Sequence, residues 1–240
     1  MNKHIAFLLF VVLLAYGRAL GQTTTPTISP MMSYTDSEGN TQTESASISE
    51  SAPLTVSFTS GAENTDGWTT HYEWRIYRQG QSDSPYVVRY EENTEFTFTE
   101  SGSHLIELWA TFVNGNDTVS YAKDYWTSEA TPLSVSIYES KLEFPNAFSP
   151  NGDGVNDIYK AKDGYKSITE FHATIFNRWG QKLYSWDDLS GGWDGKFNGK
   201  DVSQGVYFVL VKARGADGRK FNIKKDVNLL RGYTETTTTK

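Results

Sequence analysis

The chain has 240 residues, 14% of them aromatic, and no cysteine. It therefore has no disulfide, thiolate metal site, iron–sulfur cluster, cysteine nucleophile or lipoprotein anchor. Residues 22–141 carry five Lys/Arg against 17 Asp/Glu, whereas residues 142–231 carry 14 against 11. This asymmetry indicates two domains, and the acidic half argues against nucleic acid as a partner. The abundance of aromatic residues favours sheet over helix.

The first 21 residues have the pattern of a secretory signal peptide. Lys3 precedes an apolar run at 5–16, and the small residues Ala19 and Gly21 lie just before a cleavage point at Gln22. A membrane span needs roughly 20 apolar residues, so this run is short for a retained anchor. We expect export from the cytoplasm and a mature chain without a transmembrane segment.

Residues 22–50 are rich in Ser, Thr and Glu, and we interpret them as a surface linker. From there to residue 140, short stretches alternate between apolar and polar residues, as half-buried strands do. The predicted strands are 54–58, 72–76, 86–90, 95–99, 106–112, a return strand through Val119, Tyr121, Tyr125 and Trp126, and 133–138. About seven strands in about 90 residues is the spacing of a β-sandwich, so a domain is predicted at 51–140.

A second all-β domain is predicted at 142–231, followed by a polar tail at 232–240. Its strand candidates are 142–147, 168–176, 182–186, 205–212 and 221–229, with Gly- and Asn-rich turns between them. No stretch has the 3.6-residue period of a helix. The predicted fold class is therefore all-β, with two sandwich domains in tandem.

Residues 148–157 form the strongest local motif, Phe-Ser-Pro-Asn-Gly-Asp-Gly-Val-Asn-Asp. Short oxygen-bearing side chains at alternate positions, with glycine at the turn, suit a hard cation such as Ca²⁺. The candidate calcium ligands are Ser149, Asn151, Asp153 and Asp157. The other interpretation is a set of Asx turns in which these side chains bind their own backbone. Apart from this candidate calcium ion, no cofactor is predicted.

Catalytic and glycan-binding sites were the remaining candidates. The neighbouring acids Glu91-Glu92 and Asp187-Asp188 would point to opposite faces of a strand, and no histidine lies beside a nucleophile motif, so no catalytic residue is predicted. Aromatic residues in the first domain predict either a sandwich core or a platform that stacks on sugars. The glycan-binding candidates are Trp74, Trp109 and Trp126.

The second domain contains an ordered set of motifs. The motif residues are Pro145, Asn146, Phe148, Pro150, Asn151, Gly152, Asp153, Gly154, Asn156 and Asp157, then Asn177, Arg178, Trp179 and Gly180, then Trp193, Asp194 and Gly195, and finally Gly205. In this order and spacing they resemble the gliding motility-associated C-terminal domain, the type B sorting domain of the type IX secretion system of Bacteroidota. The resemblance implies Sec export, transit through the periplasm and a C-terminal domain that the outer-membrane translocon reads.

These motif residues are expected to specify the fold of the domain. Gly180 would allow a positive φ, Trp179 would cover the turn, Trp193 would bury its indole and Gly205 would start a core strand. Which surface the translocon reads is not visible in the motifs.

The first domain contains, in order, Pro53 to Phe58, Tyr72-Glu73-Trp74 and Gly102 to Leu108. This order resembles a polycystic-kidney-disease-type immunoglobulin-like domain, although Tyr77-Arg78-Gln79-Gly80 departs from the family's Gly-Asp-Gly. Together the two resemblances predict a non-enzymatic protein, secreted or at the cell surface. Its first domain would be a spacer or binding module for an extracellular glycan or protein, with a carbohydrate-binding module as the alternative.

Overall fold

The computed structural model describes residues 24–232, which contain 17 strands and one short helix. The predicted signal peptide and residues 233–240 of the predicted tail lie outside this range. The first ten strands are β1 Met31–Thr35, β2 Thr41–Glu44, β3 Ser47–Glu50, β4 Leu54–Thr59, β5 Thr69–Arg78, β6 Val87–Arg89, β7 Thr94–Phe98, β8 Gly102–Asn114, β9 Asp117–Tyr121 and β10 Leu133–Ile137, with helix α1 at Lys123–Ser128 before β10.

These ten strands form the first module, a sandwich of two sheets. One sheet has the order β2-β1-β4-β7, and the other has the order β3-β10-β8-β5-β6 with β9 also paired to β8. Alternate residues of β5 and β8 face the space between the sheets, as their period of two requires. Trp74, Leu108 and Phe112 are completely buried there, together with Phe58 and Val56 of β4.

The second module contains β11 Ala147–Phe148, β12 Ile168–Phe176, β13 Lys182–Trp186, β14 Lys196–Phe197, β15 Lys200–Asp201, β16 Gly205–Gly215 and β17 Lys220–Leu229. Its main sheet has the order β11-β17-β16-β12-β13, and β14 pairs with β15 as a separate ribbon. One face of the main sheet packs against Phe144, Tyr159 and Trp193, which come from outside that sheet, and Phe148 of its edge strand β11 lies in the same core. The all-β prediction is confirmed.

Three local predictions are wrong. Residues 22–50 are not a surface linker in their described part, because β1 and β3 pair with the two sheets and place Met32 and Ile48 in the core. Tyr125 and Trp126 lie in α1 and not in a return strand. Of the predicted strand 142–147, only Ala147 is in a strand, although Leu142 and Phe144 are buried as side chains.

The two modules are joined by a short, hydrogen-bonded junction. The Ser140 hydroxyl lies 3.1 Å from the Ser167 carbonyl oxygen and 2.8 Å from Asp217 Oδ1, and the Ser101 N–H donates to the Ala216 carbonyl at 3.1 Å. Ala216 also packs against the core of the first module. None of the helical structure in residues 24–232 has the length and hydrophobicity that a membrane crossing requires.

Candidate functional site

The loop at 149–157 is organised around the Asp157 carboxylate. Asp157 Oδ1 accepts the backbone N–H groups of Asn151 and Gly152 at 2.9 and 2.7 Å, and Oδ2 accepts that of Gly154 at 2.8 Å. Asn151 and Asp153 each accept a backbone N–H two residues further on, at 3.0 and 2.9 Å. These are Asx turns, the second of the two interpretations of the motif.

These hydrogen bonds predict a pH dependence for the second module. The N–H groups of Gly152 and Gly154, above all, hold the pKa of Asp157 below its usual value of 3.8. A lowered pKa in the folded state means that the stabilisation is present above about pH 4 and is lost as the pH falls further. We expect Asp157→Asn to lower the melting temperature at pH 7 and to lower it progressively less towards pH 3, measured by circular dichroism.

Replacing Asp153 by asparagine is the matched control, because Asp153 accepts one backbone N–H where Asp157 accepts three. A melting temperature for Asp157→Asn that differs from wild type equally at every pH would contradict this account.

The calcium site proposed on this loop remains a prediction. A cation there would have to compete with the N–H groups that already occupy both oxygens of Asp157, and the Ser149 side chain is buried. Among residues 24–232, no group of three or more His, Asp or Glu side chains is placed to hold a metal ion. Calorimetric titration with calcium tests the site directly.

The Asn177-Arg178-Trp179-Gly180 motif forms the turn between β12 and β13. Asn177 Oδ1 accepts the backbone N–H groups of Trp179 and Gln181, both at 3.0 Å, and Gly180 has a φ of +79°. The turn is thus held by Asn177 and by the conformational freedom of glycine. The expectation that Trp179 covers the turn is wrong, because 80% of this residue is exposed.

Trp193, by contrast, is buried as expected. Its side chain packs against Phe148 and Tyr207, with ring centroids 5.4 and 5.1 Å away, and its Nε1–H donates to the Lys196 carbonyl at 2.8 Å. Next to it, Asp194 Oδ1 accepts the Lys196 N–H at 3.0 Å, and Gly195 has a φ of +76°.

Arg231 forms hydrogen bonds to two of these motifs and to the segment before β16, a role that the motif pattern did not reveal. Its guanidinium donates to the carbonyl oxygens of Pro150, Gly195 and Val202 at 3.1, 2.7 and 3.0 Å. A lone arginine after the last strand gives no sequence signal for such contacts.

The motif residues Pro145 and Asn146 are also held through their backbone carbonyls. The Pro145 carbonyl accepts the Tyr159 hydroxyl, and the Asn146 carbonyl accepts the Asn228 N–H.

Strand β16 begins at Gly205, as expected, and presents two different faces. Tyr207 and Val209 point into the core, whereas Val206 and Phe208 are each 45% exposed. Phe208 lies opposite Phe176 of β12. The outward face of this end of the sheet is therefore apolar. The alternation of side chains along a strand permits this, but the sequence motifs gave no indication that Val206 and Phe208 would be exposed.

The three glycan-binding candidates do not form an exposed platform. Trp74 and Trp126 are buried, and their indole N–H groups donate to the Glu92 and Leu108 carbonyls. Trp109 is half-buried and has the Arg75 guanidinium 4.0 Å from its ring centroid. The prediction that these residues stack on sugars is wrong for Trp74 and Trp126, because tryptophans in a core cannot offer a ring face to a ligand. For Trp109 it stays a prediction.

One side-chain arrangement has the order of a nucleophile–base–acid triad. His172 Nε2 lies 3.1 Å from the Thr174 hydroxyl, and His172 Nδ1 lies 2.5 Å from Asp187. Thr174, however, is only 6% exposed. A nucleophile must reach the carbon that it attacks, so this arrangement supports no hydrolytic site.

Comparison with known proteins identifies part of the chain. Residues 142–226 match the model of the CHU_C type IX secretion signal domain. No curated protein matches the chain.

Solved structures show only distant similarity. Dimeric latent PorU from Porphyromonas gingivalis is 15% identical, and the match covers 90% of this chain and 21% of the PorU chain, with a TM-score of 0.26. The FN1–FN3 domains of chicken CNTN1 are 8% identical, and the match covers 78% of this chain and 68% of the CNTN1 chain, with a TM-score of 0.26. The tetra-tandem repeat in the extending region of a large adhesion protein is 14% identical, and the match covers 86% of this chain and 68% of the repeat chain, with a TM-score of 0.26. The chain thus spans about a fifth of the PorU chain.

The region that matches the family model contains most of the second module, including the turns at 151–154 and 177–180 and the buried Trp193. The second module thus contains the region that matches the CHU_C type IX secretion signal domain.

Proposed function

We propose that the second module directs export of the whole chain through the type IX secretion system to the cell surface or the medium. The observation that carries this proposal is the match of residues 142–226 to the type IX secretion signal domain, which supports a role for this module as a secretion signal. Its compact core supports recognition of a folded surface by the outer-membrane translocon. In this role the module binds a partner and performs no reaction, in keeping with a non-enzymatic protein.

The first module is then the cargo, acting as a spacer or as a binding module at its destination. Its two-sheet core is separate from that of the second module, and the junction between them is short. Its net charge of −12 suits a solvated extracellular domain.

Deleting residues 142–240 tests the proposal in a bacterium that has a type IX secretion system. We expect the truncated protein to accumulate in the periplasm while the full chain becomes accessible to protease added to intact cells. Circular dichroism of the truncated protein is the control, since the first module must stay folded for the comparison to be fair. Unchanged surface delivery of the truncated protein would refute the proposed role.

A further inference from the structure

The most conspicuous surface feature of the second module is an exposed tryptophan that the fold does not use. The turn at 177–180 is held by Asn177 and Gly180, while Trp179 projects into solvent with 80% of its surface exposed. The Arg178 guanidinium lies 5.2 Å from its ring centroid. Exposing an indole costs solubility, and Trp and Arg are the residues that most often dominate binding energy at protein interfaces.

Trp179 lies beside other exposed apolar side chains at the same end of the sheet. A hollow of about 340 Å³ is lined by Arg178, Trp179 and the first residues of β16, Gly205 and Val206. From Val206 the apolar surface continues along β16 to the exposed Phe208 and across to the half-buried Phe176 of β12. We call Trp179, Val206, Phe208 and Phe176 the end patch.

The charges around the end patch are mostly positive. Arg178 adjoins Trp179, Lys182 lies opposite Phe176 and Lys224 lines a second hollow with Phe208. Two carboxylates lie nearby: Asp226 is opposite Phe208, and Asp201 lines the first hollow, where it is paired with Arg231 at 3.3 Å. Within residues 24–232, Arg178, Lys182 and Lys224 make no salt bridge. A complementary surface would therefore be apolar at its centre and edged by carboxylates.

We infer that the end patch is the surface through which the sorting domain docks on a translocon protein, one that offers an apolar recess for Trp179 surrounded by acidic side chains. This inference rests on the proposed function and adds the surface and the chemistry of the partner. A second copy of the chain fits less well, because a two-fold pairing would bring the patch's unpaired cations against each other. A sugar also fits less well, because Asn177 and Gln181, two of the polar side chains that line the hollow with the indole, are hydrogen-bonded to each other within the turn.

The test compares full-length variants in a bacterium with a type IX secretion system. Trp179→Ala and Arg178→Glu alter the patch, and Tyr90→Ala, which removes a 69% exposed aromatic side chain from the first module, is the matched control. We expect each patch variant to lower the surface-delivered fraction at least about tenfold, while Tyr90→Ala behaves as wild type. Melting temperatures of the purified variants within about 3 °C of wild type would show that loss of delivery does not reflect unfolding.

The 142–240 deletion, run in parallel, separates this inference from the proposed function. If the deletion is retained in the periplasm but Trp179→Ala is delivered like wild type, the end patch is not the docking surface, although the second module still directs export. If the deletion is also delivered, the proposed function itself fails.

Two further measurements test whether the end patch instead binds a second copy of the chain or a glycan. A dimer in sedimentation that Trp179→Ala dissociates, with delivery unchanged, would assign the patch to a second copy and overturn the inference. Glycan-array binding that Trp179→Ala abolishes, with delivery unchanged, would overturn it as well.

Discussion

Trp193→Ala is expected to lower the free energy of unfolding of the second module by about 4 kcal/mol, the range measured when a large buried aromatic side chain is truncated. Trp193 is fully buried between Phe148 and Tyr207, and its backbone pairs with Tyr159. Alanine would leave a cavity and also leave the Lys196 carbonyl without its indole donor. Since small domains have only about 5–15 kcal/mol of stability, this loss should bring the module close to unfolding.

Urea unfolding followed by circular dichroism measures the effect. Trp179→Ala is the control, because it removes the same side chain from an exposed site and should cost less than about 0.5 kcal/mol. Equal losses for the two variants would contradict the assignment of Trp193 to the core and Trp179 to the surface.

Gly215→Ala is expected to disrupt the junction between the modules. A Cβ atom at this position would lie 1.9 Å from Ser140 Oγ and 2.3 Å from Ser140 Cβ. Ser140 cannot retreat without breaking its hydrogen bonds to Ser167 and Asp217. Overpacking of this kind costs about 1–3 kcal/mol, and we expect the melting temperature of the full chain to fall by about 5 °C.

Gly232→Ala is the matched control, because a Cβ atom there meets nothing within 4 Å. Calorimetry measures the melting temperature, and limited proteolysis reports whether the segment around Ser140 becomes accessible. A Gly215→Ala protein that melts like Gly232→Ala, with no faster cleavage near Ser140, would show that the modules do not depend on this contact.

Sequence patterns predicted the regular parts of the second module closely. Strands β12 and β13 have the predicted bounds, and the Asn177–Gly180 turn, which the sequence also marked, fixes the ends that they share. The strands at 31–50 were missed because they are polar on most positions. Only Met32 and Ile48 are buried there, and two buried residues 16 positions apart among serines, threonines and glutamates give no visible period.

The tryptophans show why the site was harder to predict than the fold. Trp179 and Trp193 both belong to turn motifs with an adjacent glycine, yet one is 80% exposed and the other is fully buried. The difference comes from tertiary contacts. Phe148 and Tyr207 enclose Trp193, whereas no residue covers Trp179 in a comparable way among those that the structure describes. Burial of Trp74 and Trp126 follows from their positions on the inward faces of their elements, which composition alone does not reveal.

The most direct test of the central claim is to transfer the second module to another protein. Residues 138–240 would be fused to the C-terminus of a folded periplasmic reporter that is not otherwise exported, in a bacterium with a type IX secretion system. We expect the fused reporter to reach the cell surface or the medium, and the same fusion carrying Trp193→Ala to stay in the periplasm. A fused reporter that is folded and stable but remains in the periplasm would contradict this prediction.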